Sequence, residues 1–401
     1  MKPRRILIFS LVYYPRLIGG AEVAIKEITD RISPEDVEFD MVTLRKHSPA
    51  FERIGNVNIY RVGSKIFPFS KYLFIFLAYF KALELHKKNK YDAIWSIMAN
   101  YAGFSALFFK KKNPKVPFIL TLQEGDSFDH IRRRVGIFYP LFKMIFERAD
   151  HIQTISKYLA NWAKDMGARC PVTVVPNAVD YELFSKDISV EEASQLKNKL
   201  GKKEDDVFLI TTSRLVIKNA VNDIIQALEY LPGNIKFLIL GTGYEEKNLK
   251  KQVVDLKLEY RVKFLGFVPH AEMPKYLHIS DVFIRPSLSE GFGNSFIEAM
   301  AVGIPVIATP VGGIVDFLKD GETGLLCEVN NPRSIAQKVD KIIKDRESRE
   351  YIVRQAKEMV KKHYQWDTVV EKMKEIFLSV STVEVSRQEM KNKLNSARLK
   401  L

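Results

Sequence analysis

The chain has 401 residues, of which 46% are hydrophobic and 27% charged, and its formal net charge is +14. This length suits two domains of roughly 150–200 residues each, and the composition is typical of a soluble globular protein. The two cysteines, Cys170 and Cys327, are far apart in sequence, so the pattern predicts neither a disulfide framework nor a zinc site. A reducing cytoplasm is the expected compartment.

The first apolar stretch follows a basic N-terminus, as in a signal peptide. The run ILIFSLVYY ends at Pro15 and Arg16 without a small-residue cleavage site, so we interpret it as a buried parallel strand. No window holds about 18 uninterrupted apolar residues, and the sequence therefore predicts no transmembrane helix.

Strand and helix patterns alternate along the chain. In the first half the predicted strands are RILIFSL, FDMVTL, NIYRV, AIWSI, FILTL, HIQTIS and VTVVPN; after the charged stretch 187–206 they are VFLITTSR, KFLILG, VKFLGF, DVFIRP, PVIATP and GLLCEV. Continuous apolar strands separated by helices indicate parallel sheets covered on both faces. We predict an α/β fold with two doubly wound sheets and a ligand cleft between the domains.

The positive charge is concentrated in the first half. Residues 1–180 hold 28 Lys and Arg against 17 Asp and Glu, whereas residues 181–401 hold 34 against 31. An anionic partner is therefore expected: nucleic acid, a phospholipid surface or a phosphorylated acceptor. The stretches 67–90 and 130–148 mix aromatic and aliphatic residues with Lys and Arg. They fit helices on an anionic membrane, and they fit core-facing helices with a basic edge equally well.

A pair of cationic residues follows the first strand of the second half, in the segment TTSRLVIKNA. Arg214 lies at the end of that strand and Lys218 four residues later. Fixed cations at this place can neutralise a departing diphosphate without a metal ion. Each could also be an ordinary surface residue. The later segment GTGYEE places Gly241 and Gly243 in a turn that we expect to line the nucleotide cleft, since it lacks the full dinucleotide-binding pattern.

The segment SEGFGNSFIEAM places two carboxylates, Glu290 and Glu298, eight positions apart. A helix is predicted to begin near Asn294 or Ser295, with one of these as its cap and Glu298 in its first turn. A helix N-terminus offers unpaired N–H groups and about half a positive charge, which suit a diphosphate. The residues predicted to form this donor site are Glu290, Gly291, Phe292, Gly293, Asn294, Ser295 and Glu298. The alternative is an ordinary capped helix with an acidic first turn.

Taken in order, these motifs resemble those of the retaining glycosyltransferases of family 4, the group 1 glycosyltransferases with a GT-B fold. The supporting segments are IGGAEVAIKEI, VVPNAVD, SRLVIKN, SEGFGNSFIEAMAVGIPVIATPVGG, GETGLLCEVNNP and HYQWDTVVEKMKEIF, which together extend over nearly the whole chain. The resemblance implies two Rossmann-like domains that face a central cleft, with a C-terminal helix that returns to the first domain.

The resemblance also implies residue roles. Arg214 and Lys218 would bind the donor diphosphate, Glu298 the ribose hydroxyls and Glu290 the sugar hydroxyls, with Glu290, Arg214 and Lys218 as the catalytic set. Gly19 and Gly20 would bring the N-terminal loop against the phosphates. No cofactor or metal is expected, and the sequence agrees: no Asp-x-Asp follows an apolar strand.

The sequence departs from the family pattern at two positions. Asn219 stands where many members have glycine, and we expect it to adopt the left-handed conformation of that turn. Gln123 stands where the family often has histidine. Glutamine cannot act as a base, although it can hydrogen-bond a sugar. Gln123, Glu124 and Asp126 are therefore predicted contacts for the sugar or acceptor. Either Glu124 or Asp126 takes part in the proton transfer, or the donor phosphate alone takes the proton. We found no partner spacing for His130, His151 or His270.

The predicted organisation is an acceptor-binding domain at 1–180, a linker at 181–206, a donor domain at 207–362, a helix at 363–380 that crosses back and a basic tail at 381–401. The predicted function is transfer of a sugar from a UDP- or GDP-sugar to a lipid-linked or polysaccharide acceptor in cell-envelope biosynthesis. The expected location is the cytoplasm or the inner face of the membrane, with no nucleic acid as partner. The alternatives are a GT-B sugar-nucleotide epimerase and a basic nucleic-acid-binding protein.

Overall fold

The structure, a computed structural model, describes residues 2–15, 19–45, 48–63 and 70–380. The described residues form two compact units, the first from those within 2–124, 128–177 and 366–380, the second from Gly125–Ser127 and Ala178–Gln365. The strands are β1 Arg4–Phe9, β2 Val37–Leu44, β3 Phe51–Ile54, β4 Val57–Val62, β5 Ala93–Ile97, β6 Phe118–Leu122, β7 His151–Thr154, β8 Val172–Val174, β9 Val207–Thr212, β10 Ile235–Leu240, β11 Val262–Gly266, β12 Val282–Arg285, β13 Val306–Ala308 and β14 Leu325–Leu326. The helices are α1 Gly20–Arg31, α2 Ser70–Asn89, α3 Tyr101–Lys112, α4 Phe128–Val135, α5 Tyr139–Arg148, α6 Lys157–Asp165, α7 Tyr181–Ser185, α8 Val190–Lys199, α9 Val221–Ala227, α10 Glu246–Asp255, α11 Met273–His278, α12 Asn294–Val302, α13 Pro332–Lys344, α14 Arg346–His363 and α15 Trp366–Ser379.

The first unit is built on a sheet with the strand order β3-β4-β2-β1-β5-β6-β7-β8. Its strands pair in parallel except β3, which pairs antiparallel with β4. The seven strands predicted in this half are confirmed, and β3 was missed. In β3 no residue is buried, since Phe51 and Arg53 are exposed and its other two residues are half-buried. A short edge strand of this kind has no continuous apolar run to reveal it.

The second unit is built on a fully parallel sheet with the strand order β11-β10-β9-β12-β13-β14. All six strands predicted for this half are confirmed. Residues 181–206 were expected to be a linker, whereas the structure assigns them to this unit as α7, α8 and the turns after them. Lys202 holds the end of the segment to the sheet, since its Nζ lies 2.6 Å from Oδ2 of Asp281. The long segment of the second unit therefore begins at Ala178, before the predicted linker.

The last described helix, α15, belongs to the first unit. The ring of Phe377 lies 4.9 Å from that of Trp95 and 5.7 Å from that of Phe39, between centroids, so α15 packs on core residues of β5 and β2. The predicted basic tail at 381–401 lies outside the described residues. Within the described ranges, no helix has both the length and the apolar character needed to cross a membrane.

Candidate functional site

The loops that follow β9 and β10 pack closely at the carboxyl edge of the second sheet. The N–H of Leu215 donates to the carbonyl of Thr242 at 2.9 Å. A Cβ at Gly243 would lie 2.1 Å from the carbonyl oxygen of Leu215, and one at Gly241 would lie 1.9 Å from that of Ser213. Both glycines are therefore required by the neighbouring backbone, whatever they contribute to a ligand.

The predicted cation Lys218 lies in a 3-10 turn, Ile217–Asn219, after β9. Its Nζ donates to the carbonyl of Gly125 at 2.7 Å and lies 3.0 Å from Oδ1 of Asp126. Asp126 was predicted to contact the sugar or acceptor, and here it forms an ion pair with the cation predicted to bind phosphate. Arg214 follows β9 directly and is exposed.

Asn219 does not adopt the left-handed conformation predicted for it. The left-handed residue is Ala220, with φ of 49°. Asn219 is buried, and its Nδ2 donates to the carbonyl of Arg214 at 2.7 Å. The Asn219 side chain thus closes the 214–219 loop through its hydrogen bond, and the left-handed conformation falls on the next residue, Ala220.

Helix α12 begins at Asn294, as predicted, but its cap is Gly293 in a left-handed conformation, with φ of 97°. The prediction that Asn294 or Ser295 caps the helix is wrong. The prediction that Glu298 lies in the first turn is also wrong, since it is the fifth helical residue. Phe292, predicted in the donor site, is 1% exposed, so only its backbone is available to a ligand.

Arg285, which the sequence analysis did not identify as a site residue, lies beneath the glycine loop. Its Nη2 donates to Oε2 of Glu290 and its Nη1 to Oγ of Ser295, both at 2.7 Å. The side chains of Arg285 and Glu290 are 8% and 16% exposed. Burial lowers the pKa of Arg285, and the Glu290 carboxylate opposes that shift. The only sequence signal was an arginine at the end of the otherwise apolar strand DVFIRP.

Glu290 is held by its backbone as well. Its carbonyl accepts the N–H of Gly313 at 3.1 Å, and a Cβ at Gly312 would lie 1.8 Å from that carbonyl oxygen. Its Oε1 accepts the N–H of Gly291 at 3.1 Å. The glycine turn after β13 is therefore part of the support of Glu290.

The structure brings Glu290 and Lys218 together. A Cβ at Gly125 would lie 2.9 Å from Nζ of Lys218 and 3.5 Å from Oε1 of Glu290. The loops are also joined by the backbone, since the N–H of Leu288 donates to the carbonyl of Lys218 at 2.7 Å. The second unit thus gathers a cation and a carboxylate at the carboxyl ends of adjacent strands.

Glu298 has a partner that the sequence did not reveal. Its Oε1 lies 3.0 Å from Nε2 of His270, whose ring packs against that of Phe184 at a tilted angle, 5.1 Å between centroids. The expectation that His270 lacks a partner is wrong. His151 also has one, since its Nε2 lies 3.0 Å from Oγ1 of Thr173, and burial lowers its pKa.

The remaining predicted contacts lie within the first unit. Gln123 accepts a hydrogen bond at Oε1 from Nδ2 of Asn177 at 3.3 Å, and Glu124 accepts the N–H of Ala99 at 2.6 Å. Gly19 caps α1, which begins at Gly20, and its N–H donates to Glu22 at 2.7 Å. Their contacts with substrate stay predictions.

A cavity of about 400 Å³ lies elsewhere in the first unit, against the first halves of β1, β2 and β4. Its buried carboxylate, Asp40, accepts hydrogen bonds from Asn58 at 2.9 Å, Asn89 at 2.8 Å and the hydroxyl of Tyr91. Asp40 is thus satisfied internally and points to no ligand. In the part of the chain that the structure describes, no three His, Cys, Asp or Glu side chains form a group suited to a metal ion.

Comparison with known proteins identifies the class. The fold is similar to HepE of Anabaena in complex with UDP-glucose (TM-score 0.78, 21% identity, 94% of this chain and 99% of that one). It is also similar to sucrose-phosphate synthase of Thermosynechococcus elongatus (TM-score 0.83, 19% identity, 95% and 100%). These two similarities show the fold class, which is GT-B.

The sequence places the chain within that class. The family model of Glycosyltransferase Family 4 matches residues 18–183, and that of Glycosyl transferases group 1 matches residues 192–359. Glycosyltransferase MJ1607 of Methanocaldococcus jannaschii is 28% identical over 399 residues, which cover 93% of this chain and 97% of the relative. The chain belongs to the group 1, family 4 glycosyltransferases and is a transferase, as the sequence analysis expected.

Proposed function

We propose that the chain transfers a sugar from a UDP- or GDP-sugar to a lipid-linked or polysaccharide acceptor, with retention of configuration and without a metal ion. The observation that carries this proposal is the proximity of Lys218 and Glu290 beside the N-terminus of α12. A cation and a helix N-terminus suit a diphosphate, and a carboxylate next to them suits sugar hydroxyls. The UDP-glucose bound to the similar HepE supports a nucleotide sugar as donor.

In this proposal Arg214 and Lys218 stabilise the negative charge that develops on the diphosphate. Glu298 accepts hydrogen bonds from the ribose hydroxyls, and Glu290 from the sugar hydroxyls. Gly19 and Gly20, with Gly241 and Gly243, bring backbone close to the donor.

The reaction needs one proton transfer. The acceptor hydroxyl attacks the anomeric carbon from the face that the diphosphate leaves, the carbon–oxygen bond to phosphate breaks, and the hydroxyl proton passes to the departing phosphate oxygen. Lys218 favours this route because a fixed cation stabilises the phosphate while the bond breaks. Gln123 has no proton-accepting role here, although its amide can hydrogen-bond the sugar.

A thermal-shift measurement with UDP-, GDP- and ADP-sugars tests the donor. A ligand that binds only the folded state at 100 times its Kd stabilises it by about 2.7 kcal/mol, which raises Tm by several degrees. We expect this with a UDP- or GDP-sugar, and we expect the shift to persist in EDTA. Free sugars at equal concentration are the control. No shift with any of these nucleotide sugars would contradict the proposed donor.

We further propose that the protein acts at the inner face of the cell membrane and binds anionic lipid through the surface 132–138. Helix α4 buries no residue, and Arg132, Arg133 and Arg134 are exposed. In the 3-10 turn that follows, Ile137 and Phe138 are 89% and 61% exposed. Exposed apolar side chains next to a basic cluster are the combination that inserts into an anionic interface.

Helix α2 lies in the first aromatic stretch, for which the sequence allowed either a helix on an anionic membrane or a core-facing helix. Phe74, Ala78, Ala82 and Leu85 pack in the core, whereas other apolar residues of the same helix are exposed. These exposed residues are Tyr72, Leu73, Phe76 and Phe80. The core-facing interpretation therefore holds for one face of α2 and leaves the other face open to a lipid surface.

Vesicle flotation tests the membrane proposal. We expect the protein to float with anionic vesicles at low salt and to be released as salt rises, because charge attraction is screened beyond about 10 Å at 0.1 M. The variant Ile137→Ser/Phe138→Ser should bind on the order of 100-fold more weakly, since two large apolar side chains that insert together contribute at least about 3 kcal/mol. The matched control is Tyr244→Ser/Phe267→Ser, exposed residues of the second unit. Absence of binding to anionic vesicles at low salt, or an equal loss in the control, would contradict the proposal.

A further inference from the structure

We infer that Arg285 is a positioning residue: it acts on the donor sugar through Glu290 and Ser295. This inference rests on the proposed role of Glu290. Arg285 is the last residue of β12, and its side chain lies under the loop that carries Glu290. Its guanidinium reaches both ends of the glycine segment between Glu290 and Ser295.

The geometry is that of a planar fork with two acceptors. One terminal nitrogen of Arg285 donates to Glu290 and the other to Ser295, each at 2.7 Å. The guanidinium carbon also lies 4.3 Å from the ring centroid of Phe296, which fixes the plane of the group by a cation–π contact. Lysine cannot reproduce this arrangement, because it is a single point charge without the fork.

Because Arg285 is buried, its ion pair adds little to the stability of the fold. A buried ion pair gains little over well-packed apolar residues, because both charges lose their hydration. Within the described residues, Nε of Arg285 is buried without a hydrogen-bond partner, which adds to that cost. What the arginine does provide is a fixed position for the carboxylate of Glu290 and for the first turn of α12.

The nearby cation Lys218 shows why Glu290 needs such a fixed position. Nζ of Lys218 and Oε1 of Glu290 both lie close to Gly125. A Glu290 carboxylate released from Arg285 would add a second carboxylate to Lys218, which already pairs with Asp126 at 3.0 Å, and would compete with the diphosphate for that cation. Arg285 therefore keeps Glu290 directed to the sugar and leaves Lys218 to the phosphate.

A mutant cycle with Arg285→Met, Glu290→Gln and the double variant tests this inference. The readouts are the Kd values for UDP and for UDP-glucose, or for GDP and GDP-mannose if the thermal screen selects GDP, and the rate of donor hydrolysis. The sugar's contribution to affinity is the ratio of the Kd for the nucleotide to the Kd for the nucleotide sugar. We expect each single variant to lower this ratio about tenfold and to lower the hydrolysis rate about tenfold. In the double variant the loss should be close to that of Glu290→Gln alone and well below the sum of the two single losses, since only the contact of Arg285 with Ser295 is left to act independently of Glu290.

The control variant is Arg285→Lys, which keeps the charge and should recover part of the sugar affinity. It also serves if Arg285→Met fails to fold. Losses that add in the double variant, or unchanged sugar affinity in Arg285→Met or Arg285→Lys, would overturn the inference. Failure of wild-type protein to bind any nucleotide sugar would contradict the proposed function itself, and is distinguished because it appears before any substitution is made.

Discussion

Replacement of Lys218 with alanine should lower the rate of sugar transfer by about 10²–10³-fold, the range found when one preorganised group that stabilises developing charge is removed. The ammonium of Lys218 lies at the carboxyl edge of the second sheet, beside Glu290 and the start of α12. Negative charge grows on the departing diphosphate during transfer, and in this proposal Lys218 stabilises it, since the guanidinium of Arg285 is already held by Glu290 and Ser295. Turnover with the donor selected by the thermal screen measures the effect.

The matched control for Lys218 is Asp126→Asn. Lys218 also holds Gly125 and Asp126 through contacts at 2.7 and 3.0 Å, so its loss could act by releasing that segment. Asp126→Asn removes the ion pair but keeps the cation, and we expect its rate to stay within about threefold of wild type, since a partly exposed pair contributes little. Equal losses in the two variants would show that Lys218 serves the segment and not the phosphate.

The strands were predictable because they are continuous apolar runs, a pattern that depends only on burial of both sheet faces. The sequence failed where a contact between distant residues decided the local structure. Asn294 and Ser295 are good caps by type, but Ser295 accepts a hydrogen bond from Arg285, ten residues earlier, and the left-handed Gly293 takes the cap position. The capping preferences of Asn294 and Ser295 could not reveal that Gly293 takes the cap position.

The two partners of the glutamates were missed for the same reason. Arg285 appeared to be a strand residue, and His270 had no recognisable spacing to any acid. Each pairs with a glutamate on the loop or helix after β12, His270 from 28 residues away. The motif showed which carboxylates matter, whereas only the folded sheet shows what holds them in place.

Replacement of Glu298 with alanine should weaken UDP binding by roughly 10–100-fold, because hydrogen bonds to a charged group contribute about 1.5–3 kcal/mol. Transfer at a fixed donor concentration should be nearly abolished. The fold should persist, since the Glu298 side chain is partly exposed on α12 and its partner His270 is half-exposed. Calorimetric titration with UDP measures the loss, and an unchanged Tm without ligand checks the fold.

A nucleotide without ribose hydroxyls separates a ribose contact from any other role of Glu298. With 2′,3′-dideoxy-UDP, wild type and Glu298→Ala should bind about equally weakly, because the carboxylate has no hydroxyl to accept from. His270→Ala removes the 3.0 Å contact to Glu298 but keeps the carboxylate, so it should change UDP affinity by no more than about threefold. If Glu298→Ala weakened both nucleotides by the same factor, Glu298 would act on the diphosphate end or on the loop, and the ribose would need another partner.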